Sequence, residues 1–237
     1  MLSKVRRRFR ETRCRLVDWD RHLVYVHVGK CGGRSLERAI KRSPRVRGRF
    51  RLVSRVHGPQ PPIHARSRYL IVLRNPVART LSAFNWRYKL VVVDGKRPGW
   101  PGERDALAKY ETLNALAEAL YRDGELVPEV AAEFATIGHF GKNITYYLSD
   151  LVAGIRPDQV HGVVVTERME ADAQRLLGVD SLERVHEHGT TVSEAQRHLS
   201  ATARDNLRRI LTPDYDTIRA VDRLHPLDDA AREILLA

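Results

Sequence analysis

The sequence predicts an α/β protein built on a parallel sheet, and three observations carry that expectation. Apolar runs that read as strands fall at residues 22–28, 49–56, 69–74 and 160–166. Segments with helical spacing lie between or after them, near 34–42, 76–90, 103–122, 168–177, 200–211 and 214–224. Such alternation argues for parallel strands covered by helices on both sides. The third observation is a glycine pair, Gly32 and Gly33, between the first strand and the first helix. At a strand–turn–helix junction of this kind, backbone N–H groups and the helix N-terminus converge and favour an anion.

Each element has its own justification. The first strand is the apolar run Leu23–Val28, followed by Gly29-Lys30-Cys31-Gly32-Gly33-Arg34-Ser35. The second ends in Val56-His57-Gly58-Pro59, where the last two residues turn the chain away. The third ends in IVLRNPVARTLSAF, with Arg74 at its tip, Asn75 as a helix cap, Pro76 at the first helical position and Ser82 within the next two turns. Residues 92–102 (VVDGKRPGWPG) are turn-rich and predict an exposed loop beside the site. In 112–121, Leu113, Leu116, Ala117, Leu120 and Tyr121 share one helical face behind a Thr112 cap. The helical stretch 103–150 interrupts the alternation and reads as an insertion over the C-terminal edge of the sheet. The fourth strand ends in Thr166-Glu167-Arg168. In such sheets ligands sit where strands end and helices begin. A lysine loop, a histidine, an arginine with a serine, and a carboxylate are therefore expected at one edge.

The 237 residues are long enough to bury a sizeable core and contain no internal repeat. They are read as a basic N-terminal arm, 1–20, and a single α/β domain, 21–237. No window approaches the ~20 apolar residues of a membrane span. The start, MLSKVRRRFRETRCRL, has no secretory apolar region. Two cysteines, Cys14 and Cys31, cannot build a disulfide framework, which suits a reducing cytoplasm. The net charge of +12 comes from 41 Lys and Arg against 29 acids. It is concentrated: residues 34–55 hold nine basic residues and one acid, Glu37, and the first fifteen residues hold seven and one. Such a distribution favours anionic partners and leaves the arm free for peripheral contact with an anionic surface.

The glycine turn departs from the nucleotide triphosphatase pattern G-x-x-x-x-G-K-[ST]. Lys30 precedes the glycine pair, Arg34 occupies the usual lysine place, and Val28 stands where the first glycine belongs. HVGKCGGRSL instead resembles the 5′-phosphosulfate loop of the PAPS-dependent sulfotransferases, especially their carbohydrate-type branch, which often reads H-x-P-K-x-G-[GT]-x-S-[LF]. IVLRNPVARTLSAF resembles their 3′-phosphate motif, an arginine followed eight residues later by a serine. FGKNITYYLSD and VVVTERMEADAQRLLGV continue the likeness more weakly, so that it covers roughly residues 22 to 224. Gly29 replaces the family's usual proline, Arg34 a common threonine and Asn75 a common aspartate.

The resemblance implies a P-loop-like three-layer fold and a carbohydrate-type sulfotransferase, which moves a sulfuryl group from PAPS to an acceptor hydroxyl and releases PAP. The acceptor it implies is an oligosaccharide, polysaccharide or glycolipid, and the basic stretch beside the donor loop suits one that is already anionic. Lys30 can reach the bridging oxygen and the leaving phosphate, with Cys31, Gly32, Gly33, Arg34 and Ser35 around the same group. No γ-phosphate has to be held, so no metal is required. Arg74 suits the 3′-phosphate through paired, permanently charged hydrogen bonds, and Ser82 adds a neutral donor. His57 is the first candidate for the base that takes the acceptor's proton, with Glu167 in reserve and His64 as a rival. His186 and His188 lack a third ligand and do not make a metal site. Two other readings remain: a P-loop-type kinase using ATP, against which the displaced lysine argues, and a non-catalytic basic nucleic-acid-binding protein, for which aromatics are scarce.

Overall fold

A computed structural model describes residues 20–58, 60–179, 182 and 193–237. The basic arm up to residue 19, together with Cys14, His186 and His188, lies outside the described residues. In chain order the elements are β1 (His22–Val26), α1 (Gly33–Arg42), α2 (Pro44–Arg49), β2 (Leu52–Val56), β3 (Arg68–Leu73) and α3 (Pro76–Tyr88). A π-helical turn, Lys89–Val93, follows. Then come α4 (Glu103–Tyr110), α5 (Leu113–Ala119), β4 (Tyr121–Arg122), β5 (Glu125–Leu126), α6 (Pro128–Thr136) and α7 (Ile144–Gly154). The chain continues with β6 (Val160–Val165), α8 (Met169–Leu177), α9 (Glu194–Arg197), α10 (Ala201–Ile210), α11 (Thr212–Leu224) and α12 (Asp229–Leu236).

The described residues group into two compact units. The first takes in the chain up to Arg74, the stretch from Ile144 to 182, and everything from Asp216 onward. Its four strands lie in the order β2-β1-β3-β6, all parallel. The α/β class and the parallel central sheet are as the sequence predicts. Every residue of β1, HLVYV, is buried, as a central strand with both faces covered requires. One core joins Leu23, Val24, Leu70 and Ile71 of the sheet to Leu36 and Ile40 of α1, Leu148 and Leu151 of α7, Ala173 of α8, Ile218 of α11 and Leu235 of α12. Each fully buried Leu or Ile contributes about 1.5–3 kcal/mol. His22 is buried at the start of β1 because its two ring nitrogens meet Ser67 Oγ and Ser54 Oγ, each at 2.9 Å.

Several boundaries differ from the sequence expectation. The second strand starts at Leu52 rather than 49, because Ser43 and Pro44 start a short helix first. Ser43 Oγ accepts from the Val46 N–H at 3.0 Å, and Pro44 stands at the first helical position. Arginine alternation over 45–49 hides that helix from apolar periodicity. The expected helix 103–122 is two helices and the start of a β4–β5 hairpin, broken where Glu111 takes a φ of 56°. The sequence expectation also omits α12, whose cap is Asp228 accepting from the Ala231 N–H.

The second unit comprises residues 75–143 and 193–215 of the described chain. The interruption therefore starts at Asn75 rather than 103 and ends before Ile144. Asn75 does cap α3, its Oδ1 accepting from the Ala78 N–H at 3.0 Å. Thr112 likewise caps α5, and Leu113, Leu116, Ala117 and Leu120 are completely buried. Glu103 organises the turns of this unit. It is fully buried, pairs both oxygens with Arg87 at 2.6 Å, and accepts from the Trp100 and Gly138 N–H groups. The predicted loop is exposed from Asp94 to Gly102 apart from its half-buried members, with Trp100 59% exposed.

Candidate functional site

Parallel pairing aligns Val26 with Val56 and with Ile71, so β1, β2 and β3 finish at one edge of the sheet. There the β1–α1 turn is built tightly. Val28, Gly29 and Cys31 are buried, and Lys30 holds a φ of 70° that is costly for a residue with a Cβ. Gly32 caps α1 at a φ of 65°, where a Cβ would come 2.5 Å from Met169 Cε. Gly33 is still more constrained, since a Cβ there would stand 1.9 Å from the His27 ring. Close packing thus accounts for Gly33, and the positive φ for Gly32. Gly32 offers no capping side chain and the first turn of α1 holds no acid, so none of the helix's own carboxylates offsets the positive end of its dipole.

Arg74, 44 residues further along the chain, closes on this turn. Its Nη1 donates to the Lys30 carbonyl at 3.0 Å. Its buried Nε makes no hydrogen bond and lies 3.6 Å from Glu167 Oε1, an ion pair too long for a direct bond. Glu167 is placed by the short turn after β6, where Thr166 Oγ1 donates to Leu73 O at 2.8 Å. Arg168 then anchors the turn to Asp172 and Asp228. Lys30, Arg74 and Glu167 are therefore brought together as expected.

His57 arrives at the same edge inside a column of rings. Its ring lies 4.3 Å from that of His27, which stacks in turn on Tyr25 at 5.9 Å. Tyr147 also stacks with His57, at 6.0 Å. His57 Nδ1 is 2.9 Å from the His27 carbonyl, which can only accept, so Nδ1 carries the proton. In the neutral ring Nε2 is then the basic nitrogen. Gln60 fastens the following loop to α7, donating to Tyr146 O at 2.8 Å and accepting from the Asp150 N–H at 3.2 Å. Tyr25 hangs from the strand below, its hydroxyl donating to Gly33 O. Burial first, then Cys31 and Glu37, raises its pKa well above the ordinary phenol value. Burial also opposes ionisation of Glu37, but Lys41 and Arg55 outweigh it and hold that carboxyl below its ordinary range.

Other expected residues are placed differently. His64 lies at the opposite edge: its N–H bonds the Tyr69 hydroxyl at the start of β3, and its carbonyl accepts from Gln159 just before β6. This geometry separates it from Lys30. Ser82 is half-exposed on α3, in the second unit, whereas Arg74 belongs to the first. Ser35 is half-buried in the first turn of α1, and the Arg34 side chain lies outside the described residues. The Cys31 thiol is buried, with its sulfur 3.8 Å from Gly29 O. The sequence does not single out His27, Tyr147 or Met169. His27 falls within HVGKCGGRSL, two residues before Gly29, whereas Tyr147 and Met169 carry no local signal.

Among the described residues no group of three His, Cys, Asp or Glu side chains is placed to hold a metal ion. None of their helices is long and apolar enough to cross a membrane. By fold, this part of the chain is an α/β protein with a parallel sheet and a glycine turn at its C-terminal edge. No protein-family model, no curated protein and no solved structure matches the chain.

Proposed function

We propose that the chain is a PAPS-dependent sulfotransferase with a P-loop-like donor site, acting on a hydroxyl of a carbohydrate or glycolipid. The observation that carries this reading is the Arg74–Lys30 contact. Two motifs resembling the two phosphate-binding motifs of that family meet through one hydrogen bond of 3.0 Å. The residues also suit the donor's chemistry. An acid-free helix N-terminus accepts the 5′-phosphosulfate, and a guanidinium with five N–H donors has donors left for a 3′-phosphate beyond Lys30 O.

In this reading Lys30 lies beside the leaving phosphate and offsets the charge that develops on its bridging oxygen. His57 Nε2 takes the acceptor's hydroxyl proton while the acceptor oxygen forms its bond to sulfur. The bond from sulfur to the bridging oxygen breaks, its electron pair stays with the phosphate, and PAP leaves. Cys31 is a buried spacer of the turn, and Glu167 sets the position of Arg74. No step requires a metal. The acceptor's identity rests on the family resemblance.

Thermal shift tests the reading directly. PAP in metal-free buffer should stabilise the chain by about 2.7 kcal/mol at 100 times its Kd. Strong stabilisation by ATP with magnesium, and none by PAP, would replace this proposal with a kinase. Arg74→Ala should weaken both PAP and adenosine 5′-phosphosulfate, because the Lys30 turn loosens. PAP should lose a further ~1.5–3 kcal/mol for its 3′-phosphate. Equal losses would remove Arg74 from that phosphate.

A further inference from the structure

The edge of the sheet opposite the lysine turn carries a second chemistry. Arg21, Arg51 and Arg68 stand at or just before the starts of β1, β2 and β3, and α2 adds Arg45, Arg47 and Arg49 beside them. No acid occurs between Arg38 and Val56. Arg45, Arg47, Arg49 and Arg51 are all exposed. Their neighbours orient them without neutralising them. Arg21 donates to Arg49 O and Gly48 O, Arg47 to Arg42 O, and Arg45 to Arg175 O, at 2.8–3.2 Å. Carbonyls carry no net charge, and each guanidinium has five donors, so outward-facing charge and hydrogen-bonding capacity remain. Asp158, the carboxylate beside Arg68, is shared with Arg156.

We infer that this arginine-bearing edge of the first unit is a docking face for an anionic phospholipid surface. Charge complementarity is the first argument, since clustered Arg and Lys gain affinity from acidic headgroups in proportion to their number. The second is what the face lacks. Phe50, the aromatic of the stretch, is 4% exposed and packs edge-on against His161, so it cannot serve as a stacking platform for single-stranded nucleic acid. The six residues of α2 are too short to fill a major groove. The third argument is continuity. The described chain begins at this edge with Asp20, and the sequence before it mixes basic residues with Leu2, Val5, Phe9, Leu16 and Trp19. Basic residues interleaved with Leu, Phe and Trp suit the headgroup boundary. A strand of five or six residues separates the two edges by roughly 17–20 Å. A lipid-docked unit would therefore keep Lys30 and His57 away from the bilayer, which, of the two proposed acceptors, favours a carbohydrate arriving from solution over a glycolipid.

Vesicle sedimentation with the full chain tests this. At about 0.1 M salt the protein should pellet with phosphatidylcholine vesicles containing about a fifth phosphatidylserine, and not with phosphatidylcholine alone. Each charge is worth about fivefold in partitioning, so Arg47→Gln, Arg49→Gln and Arg51→Gln together should weaken it about 100-fold. The three Lys replacements should keep binding within about threefold, because the surface reads charge. Equal binding to neutral vesicles overturns the inference. So does wild-type binding by the Gln variant, which would assign all attraction to the arm. A variant that loses heparin or duplex DNA while keeping vesicles would overturn it in favour of another polyanion. Should the Gln variant melt early, the unmodified chain still decides the matter: binding unchanged between about 50 and about 300 mM salt refutes docking by charge.

Discussion

Gly33→Ala is the most direct probe of how the turn is built. A Cβ at this position would lie 1.9 Å from both Cδ2 and Nε2 of His27. Carbon contacts settle near 3.5–4.0 Å, so the ring must retreat by more than an ångström. It has little room, because the Tyr25 ring lies 5.9 Å and the His57 ring only 4.3 Å from it. Overpacking of this kind costs about 1–3 kcal/mol. In a chain of this size that lowers Tm by about 2–4 °C for each kcal/mol. The assay is urea denaturation in a double-mutant cycle with His27→Ala. If the ring is the obstacle, Gly33→Ala should cost less than about 0.5 kcal/mol once the ring is gone, and the cycle should show a coupling of similar size to the original loss. An undiminished cost in the His27→Ala background would refute the packing argument. Gly32→Ala is the contrast: Met169 can yield, but a φ of 65° keeps a penalty of about 1–2 kcal/mol in either background.

His57→Ala should lower kcat by roughly 10²–10⁴-fold with PAP affinity nearly unchanged, measured by turnover and nucleotide titration; parallel losses would make His57 structural. Glu103→Ala strands Arg87 in the second unit and should cost about 3–5 kcal/mol in chemical denaturation, and a loss below 1 would mean the pair is effectively solvated. Burial opposes ionisation of Glu103, but Arg87 and the Gly138 and Trp100 N–H groups outweigh it and depress its pKa, so its contribution holds above the ordinary carboxylate range and fades as pH falls through the lower folded value. Burial, then the charges of Arg49 and Arg45, lowers the His161 pKa from 6.5 to about 4. The unfolded chain takes up this proton first, so stability should fall by about 1–2 kcal/mol, after solvent screening, as pH drops from 6.5 toward 4. His161→Phe should flatten that part of the urea-midpoint profile, and an unaltered slope would assign it to other groups.

Much of the first unit was legible because its signals are local. A buried parallel strand needs a continuous apolar run, and β1 and β3 each show one, with β6 showing it over its second half, Val163–Val165. In the second unit, caps such as Asn75 and Thr112 announce themselves because capping is a contact across three residues. The meeting of Lys30, Arg74 and Glu167 is legible because each follows a strand, and parallel strands must finish at one edge. Helix α2 was not legible, because arginine alternation carries no apolar period. The same limit hid the two-unit grouping: residues 193–215 join 75–143 through contacts that no spacing rule records. Tertiary structure alone decided the ring column around His57, the proton on its Nδ1, and why Gly33 cannot carry a Cβ. It also separated His57 from His64, seven residues apart in sequence but at opposite edges of the sheet, because the loop between them carries the chain from the end of one parallel strand back to the start of the next.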